Sequence, residues 1–311
     1  MFQFIAEEAK RSKEKQAKPR PTGERQGMAT CMLRDGTELS HTDRGTGPPI
    51  VLVHGWAANA TFFEDLAVRL MGEHRVIVPT LRAHPGSGRG SAPLSIETLG
   101  SDLAELFERL QLTNVVALGW SMGAMALWAA MPRIEARVSG LIVEDMGAHL
   151  VSDAHGAHGL AGGYRLSDVA TTLSDMRTNW PAFVTRFAPR IFAPQVVRQR
   201  PDLVAWTISE MSAADPEAMA AFWSSMARQD FRADLAELET PLLVVHGADN
   251  LIYADAATDL VACAARRGRR VVIPDAGHAP HIEAPNRFFE TVVAFAREVN
   301  ANGVLEGGRG Q

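Results

Sequence analysis

Four stretches of this chain are apolar from end to end instead of alternating with polar residues: Ile50-Val51-Leu52-Val53, Val76-Ile77-Val78, Val115-Val116-Ala117-Leu118 and Leu242-Leu243-Val244-Val245. A strand that shows one face to water has every second side chain polar, whereas a strand covered on both faces does not. These runs therefore predict a parallel sheet with helices on its two sides. Strands are expected at 29–33, 38–43, 50–54, 75–79, 114–118, 138–143, 242–246 and 270–274, with Asp35-Gly36 as a hairpin turn between the first two. Helical periods fit between them. Ser95 is placed to cap a helix whose Ile96, Leu99, Leu103, Leu106, Phe107 and Leu110 form one apolar stripe, and 61–71, 122–130, 254–265 and 286–298 read similarly. Alternating strands and helices give an α/β, doubly wound architecture, with ligands at the carboxyl ends of the strands.

The alternation fails between 147 and 239, a stretch with helical periods and no convincing strand. That is too long for a loop inside a compact domain, so an inserted helical cap (147–239) is expected over a core formed by 28–146 and 240–300. Its Trp180, Phe183, Phe187, Phe192, Trp206, Met211, Phe222, Trp223 and Met226 could roof a pocket or form the cap's own core. Residues 1–27 hold seven Lys/Arg, four Glu and no apolar face after Ile5, and read as a mobile tail. Met28, directly before the first strand, is an alternative start, and 301–311 read as a flexible end.

Composition removes several function classes. A net charge of −5 argues against binding nucleic acid through bulk positive charge. Two cysteines 232 positions apart make neither a disulfide framework nor, alone, a zinc site. No run reaches the 18 or so apolar residues of a membrane span, and the short apolar start followed at once by charge is the reverse of a secretory signal, so a cytoplasmic protein is expected. His149, His155 and His158 sit in a Gly/Ala-rich run without regular ligand spacing, and no metal is expected there.

The strongest chemical signal is Gly119-Trp120-Ser121-Met122-Gly123, after the strand at 114–118 and before a helix. A very sharp strand-to-helix turn lifts the serine hydroxyl above the sheet, requires small neighbours, and sets a helix N-terminus beneath it. In this context the chain resembles the α/β-hydrolase superfamily over 29–300, which implies an α/β-hydrolase fold: a mostly parallel, twisted sheet of about eight strands flanked by helices, with an inserted helical cap. The superfamily order of nucleophile, acid and histidine implies a triad of Ser121, Asp249 and His278. His278 lies in Asp275-Ala276-Gly277-His278-Ala279-Pro280, with His281 as its competitor. Family members usually have two residues between the strand-end glycine and the acid, whereas only Ala248 separates Gly247 from Asp249. A strict count puts Asn250 in that place, and a neutral amide could not stabilise an imidazolium. The rival acid is Asp145, after the strand at 138–143, a location some members use.

His54-Gly55-Trp56 resembles the superfamily's oxyanion element, which implies that the backbone N–H groups of Trp56 and Met122 form the oxyanion hole while His54 braces its loop. Trp120, Phe187 and Trp223 are expected to line the substrate pocket. Where the family usually has Asp followed by Arg-Gly-His-Gly, this chain has Thr80-Leu81-Arg82-Ala83-His84-Pro85-Gly86-Ser87, a change of local packing. Ser121 in the nucleophile slot disfavours epoxide and haloalkane hydrolases, which use aspartate. The resemblance extends to small bacterial carboxylesterases, above all the pimeloyl carrier-protein methyl ester esterases. It implies a serine esterase that needs no cofactor and acts on a small or medium acyl ester, possibly one carried on an acidic acyl carrier protein. Arg177, Arg186, Arg190, Arg198 and Arg200 would face such a carrier or simply be solvated. A cofactor-free haloperoxidase or perhydrolase, and a non-catalytic binding protein on the same scaffold, are the alternatives.

Overall fold

A computed structural model describes residues 27–152 and 158–307. Residues 1–26, 153–157 (His155 among them) and 308–311 lie outside the described residues, and with them nearly all of the expected N-terminal tail and the last four residues of the expected C-terminal one. Eight strands form one sheet: β1 (Met28–Met32), β2 (Glu38–Arg44), β3 (Pro49–Val53), β4 (Arg75–Pro79), β5 (Val115–Trp120), β6 (Val138–Glu144), β7 (Leu242–Gly247) and β8 (Gly268–Ile273). Their order is β1-β2-β4-β3-β5-β6-β7-β8. Strands β3 to β8 run parallel, and β2 is antiparallel to both of its neighbours. All six residues of β5 and all six of β7 are buried, as their apolar runs at 115–118 and 242–245 require.

The strand order locates the site. After β3 the chain moves outward to β4 and then returns to the other side of β3 as β5. The connections leaving β3 and β5 therefore diverge, and a crevice opens at the carboxyl ends of these two adjacent strands. The His54-Gly55-Trp56 segment leaves β3 there, and Ser121 leaves β5 there.

Flanking helices cover the sheet. Helix Ile96–Arg109, capped by Ser95 Oγ accepting from the Thr98 N–H, packs on Met122–Ile134. Helix Glu64–Leu70 packs on Pro285–Gly307, which runs past the expected end of the core and into the stretch expected to be flexible. Between β6 and β7 lie helices Leu166–Thr178, Trp180–Phe187, Pro194–Gln199, Pro201–Ser212, Pro216–Met226 and Arg232–Glu237. Four of them have proline at N1 or N2, where the missing N–H has no helical acceptor to lose. No helix among the described residues is long and apolar enough to cross a membrane.

The altered loop after β4 is held by a buried charge. Arg82 is 2% exposed; its guanidinium donates to both oxygens of Asp102 (2.7 and 2.6 Å) and to Asp35 (2.7 Å). These bonds tie the loop to helix Ile96–Arg109 and to the β1–β2 turn. The guanidinium draws the Asp35 carboxyl down to about 2, whereas burial leaves Asp102 raised even against the same partner.

Candidate active site

Ser121 sits between the last residue of β5 and the first of helix Met122–Ile134, at φ 52° and ψ −124°. Non-glycine residues avoid positive φ, so this backbone is strained and must be held from outside. Its N–H donates to the Glu144 carbonyl (2.9 Å), and its carbonyl accepts from Ala124 (2.8 Å). The flanking glycines are required by space: a Cβ on Gly119 would lie 2.5 Å from Ala124 backbone atoms, and one on Gly123 would lie 2.2 Å from the Val53 oxygen. Met122 opens the helix, so its N–H has no intrahelical acceptor.

His278 is buried and lines the same cavity as Ser121. Its main chain is fixed on both sides: its N–H donates to the Ile191 carbonyl (2.8 Å) and its carbonyl accepts from Trp120 Nε1 (2.7 Å). Burial lowers its pKa to about 4, against the opposing charge of Asp145. Its Nδ1 is buried without a hydrogen-bond partner.

The two candidate acids sit in different surroundings. Asp249 lies exposed on the turn after β7, where its carboxylate accepts from Gln195 Nε2 (2.7 Å); it makes no bond to His278. Asp145, directly after β6 at φ 54°, is fully buried, and it is the carboxylate whose charge acts on the His278 ring. Its Oδ1 accepts from His246 Nδ1 (2.7 Å) and Asn250 Nδ2 (2.5 Å), and its Oδ2 from the Gly247 N–H (3.1 Å). Asn250, the residue that the strict count puts in the acid's place, is thus a ligand of the other acid. His281 points elsewhere: its Nδ1 bonds the buried Glu144 (2.8 Å), and its ring packs on Phe63 and Trp120.

The cavity has a volume of about 30 Å³. Its walls include Trp56, Trp120, Phe187 and Trp223, together with Ser121 and His278. Gly55, Leu150, Leu160, Ile191, Met226, Ile252 and Tyr253 complete it. Met226 is among the expected roof residues, whereas Leu150, Leu160, Ile191, Ile252 and Tyr253 come from separate stretches with no common spacing and carried no signal in the sequence. Trp56 does more than line the wall. Its Nε1 donates to the Met219 carbonyl (2.9 Å), and its ring meets Trp180, Phe183, Phe187 and Trp223 edge-on at 5.2–6.1 Å. The aromatic residues between β6 and β7 therefore both pack together and roof the cavity. His54 is buried and fully bonded, with Nδ1 at 2.8 Å from the Gly55 carbonyl and Nε2 accepting from Leu81 N–H (2.9 Å), so it serves as a neutral brace.

Of the cap arginines, Arg177, Arg186 and Arg200 are ion-paired with Glu217, Asp175 and Asp202, and Arg190 donates to the Leu251 carbonyl. His149 Nδ1 bonds the Val151 carbonyl (2.6 Å), and the described residues contain no cluster of three or more His, Cys, Asp or Glu able to hold a metal.

Comparison with known proteins bears on the family and the fold. A model of the alpha/beta hydrolase family matches residues 50–291. The pimeloyl-[acyl-carrier protein] methyl ester esterase of Edwardsiella ictaluri is 28% identical over 260 residues, covering 82% of this chain and 96% of that protein. That of Pectobacterium carotovorum is 27% identical, covering 82% and 97%. Among solved structures, a thermophilic esterase from Thermogutta terrifontis is 29% identical with a TM-score of 0.77, covering 88% of this chain and 98% of its own. A bromoperoxidase from Bacillus anthracis, at 22% identity and TM-score 0.80 over 87% of this chain and 99% of its own, shares the fold. The chain belongs to the alpha/beta hydrolase family.

Proposed function

We propose that the protein is a serine-dependent carboxylic ester hydrolase in which Ser121 is the nucleophile, His278 the general base and Asp145, in place of Asp249, the acid. The observation that carries this reading is the strained Ser121 at the carboxyl end of β5, sharing one apolar cavity with a buried, neutral imidazole. His278 takes the Ser121 proton as Oγ attacks the ester carbonyl, and the N–H groups of Trp56 and Met122 receive the charge that develops on the carbonyl oxygen. The alcohol departs with the proton from His278. Water, deprotonated by the same ring, then releases the acid and frees Ser121.

Counting supports Asp145. A carboxylate has about four acceptor positions, and three are filled by His246, Asn250 and Gly247. One remains on Oδ2, while the His278 Nδ1 has no partner. A bond between them would hold the imidazole in the tautomer that leaves Nε2 free for the serine.

The tight apolar cavity favours a short acyl chain, or a longer one admitted when the cap moves. The names of the curated relatives support a methyl ester carried on an acyl carrier protein as one such substrate. A carrier would have to compete for cap arginines that already hold acidic partners. The test is a p-nitrophenyl ester chain-length series alongside pimeloyl methyl ester, free and carrier-bound. Hydrolysis of short esters that is lost in Ser121→Ala supports the reading, and turnover retained in Ser121→Ala contradicts it.

A further inference from the structure

Glu283 lies in the short helix Pro280–Glu283, five residues after His278 and with no part in the steps above. Its two oxygens hold different pieces of the molecule. Oε1 accepts from the N–H groups of Gly277 (2.8 Å) and Ala279 (3.3 Å), the two residues flanking His278. Oε2 accepts from the N–H of Ala193 (2.7 Å), in the turn between the cap segments Ala188–Ile191 and Pro194–Gln199. This turn already touches the histidine loop: Ile191 accepts from the His278 N–H and lines the cavity, and a Cβ on Gly277 would lie 2.6 Å from the Ala193 nitrogen.

We propose that Glu283 is a positioning residue that clasps the His278 loop to the cap, so that the register of the base and the seating of the cavity roof are set together by one carboxylate. The proposal rests on His278 being the base. Charge-assisted bonds from a carboxylate to backbone N–H groups are among the stronger hydrogen bonds, and three of them converge here. An amide at this position cannot replace them, because whichever end turns its NH₂ outward would face an N–H donor and lose either the loop or the cap. The clasp also titrates. Burial, reinforced by the charge of Asp145, raises the Glu283 carboxyl to about 7 against the pull of its three N–H donors. The other titratable groups around it are His278 in the loop it holds and His281, bonded to Glu144, on its own helix.

The experiment compares wild type, Glu283→Gln, Glu283→Asp and Ser121→Ala with p-nitrophenyl acetate, and follows amide hydrogen exchange at Ala193, Gly277 and Ala279. In Glu283→Gln, kcat should fall roughly 10- to 100-fold, as expected when a reacting group is misplaced by about an ångström. KM should change little, sheet amides should keep their protection, and one or more of the three amides should exchange faster. Wild-type kcat should show a step near pH 7 that Glu283→Gln lacks, and Glu283→Asp should restore part of the rate. Wild-type kcat in Glu283→Gln while Ser121→Ala is inactive overturns the clasp, as does a rate loss matched by general loss of protection. If Glu283→Gln does not fold, unchanged kcat and unchanged exchange in Glu283→Asp overturn it equally. Turnover retained in Ser121→Ala instead defeats the esterase reading, leaving the exchange data to judge the clasp.

Discussion

Asn250 Nδ2 donates to Asp145 Oδ1 at 2.5 Å, so the residue standing where the family count expects an acid holds a different acid in place. Asp145→Asn is therefore expected to lower kcat by about 10⁴-fold, the scale seen when a triad acid is made neutral. Asp249→Asn should stay close to wild type, because it forfeits only an exposed bond to Gln195. Steady-state hydrolysis of p-nitrophenyl esters by the two variants checks this. A crippled Asp249→Asn beside a healthy Asp145→Asn would reverse the assignment.

Trp56 joins the oxyanion segment to the cap. Trp56→Ala removes an indole that touches four aromatic rings and donates to Met219, and should cost about 3–5 kcal/mol of stability. Urea unfolding measures it. Trp56→Phe keeps most of the packing and should be milder.

The guanidinium of Arg82 is nearly inaccessible and neutralises a buried Asp102. Arg82→Met should destabilise by about 3–5 kcal/mol, because it leaves a buried carboxylate unpaired. Adding Asp102→Leu should recover much of that loss. A double variant no more stable than Arg82→Met would show that the damage is to loop packing and not to charge.

Acid should weaken the fold through its histidines. Burial holds His84 and His278 near 4 and His54 well below its usual value. The unfolded chain binds these protons near pH 6.5 and the folded one does not. Stability is therefore complete above about pH 6.5 and falls as the pH drops toward the folded values. Glu283, Asp102 and Glu144 work in the opposite direction, their raised carboxyls adding stability as the pH falls. His41 is a fourth histidine held low by burial. Unfolded histidines take up protons from about pH 6.5 downward, and the four of them outnumber the three carboxyls, so the histidines set the trend down to pH 5. Thermal midpoints measured from pH 7.5 to 5 should decline, and a rise would contradict the burial of these rings as neutral species.

The fold was legible because the central parallel strands β3, β4, β5 and β7 carry unbroken apolar runs, the composition that burial on both faces demands. Ser121 was legible for a local reason as well: two glycines and a strand-to-helix junction define the turn without help from the rest of the chain. The acid was not. Asp145 and Asp249 both follow the carboxyl ends of adjacent strands, β6 and β7, and the choice proposed for Asp145 rests on its positive φ and on its bonds to His246 and Asn250. Glu283 left a fainter trace, an acid two residues past the buried Pro280 and His281. Its partners at Ala193 and Gly277 are distant or featureless in sequence, so only the folded backbone reveals what it holds.

The most direct measurement is intact and peptide mass analysis of the protein quenched early in its reaction with p-nitrophenyl acetate. One acetyl group per chain, located on Ser121 and absent from Ser121→Ala, is the predicted result. Turnover with no covalent adduct, or with the acetyl group on another residue, would contradict the account.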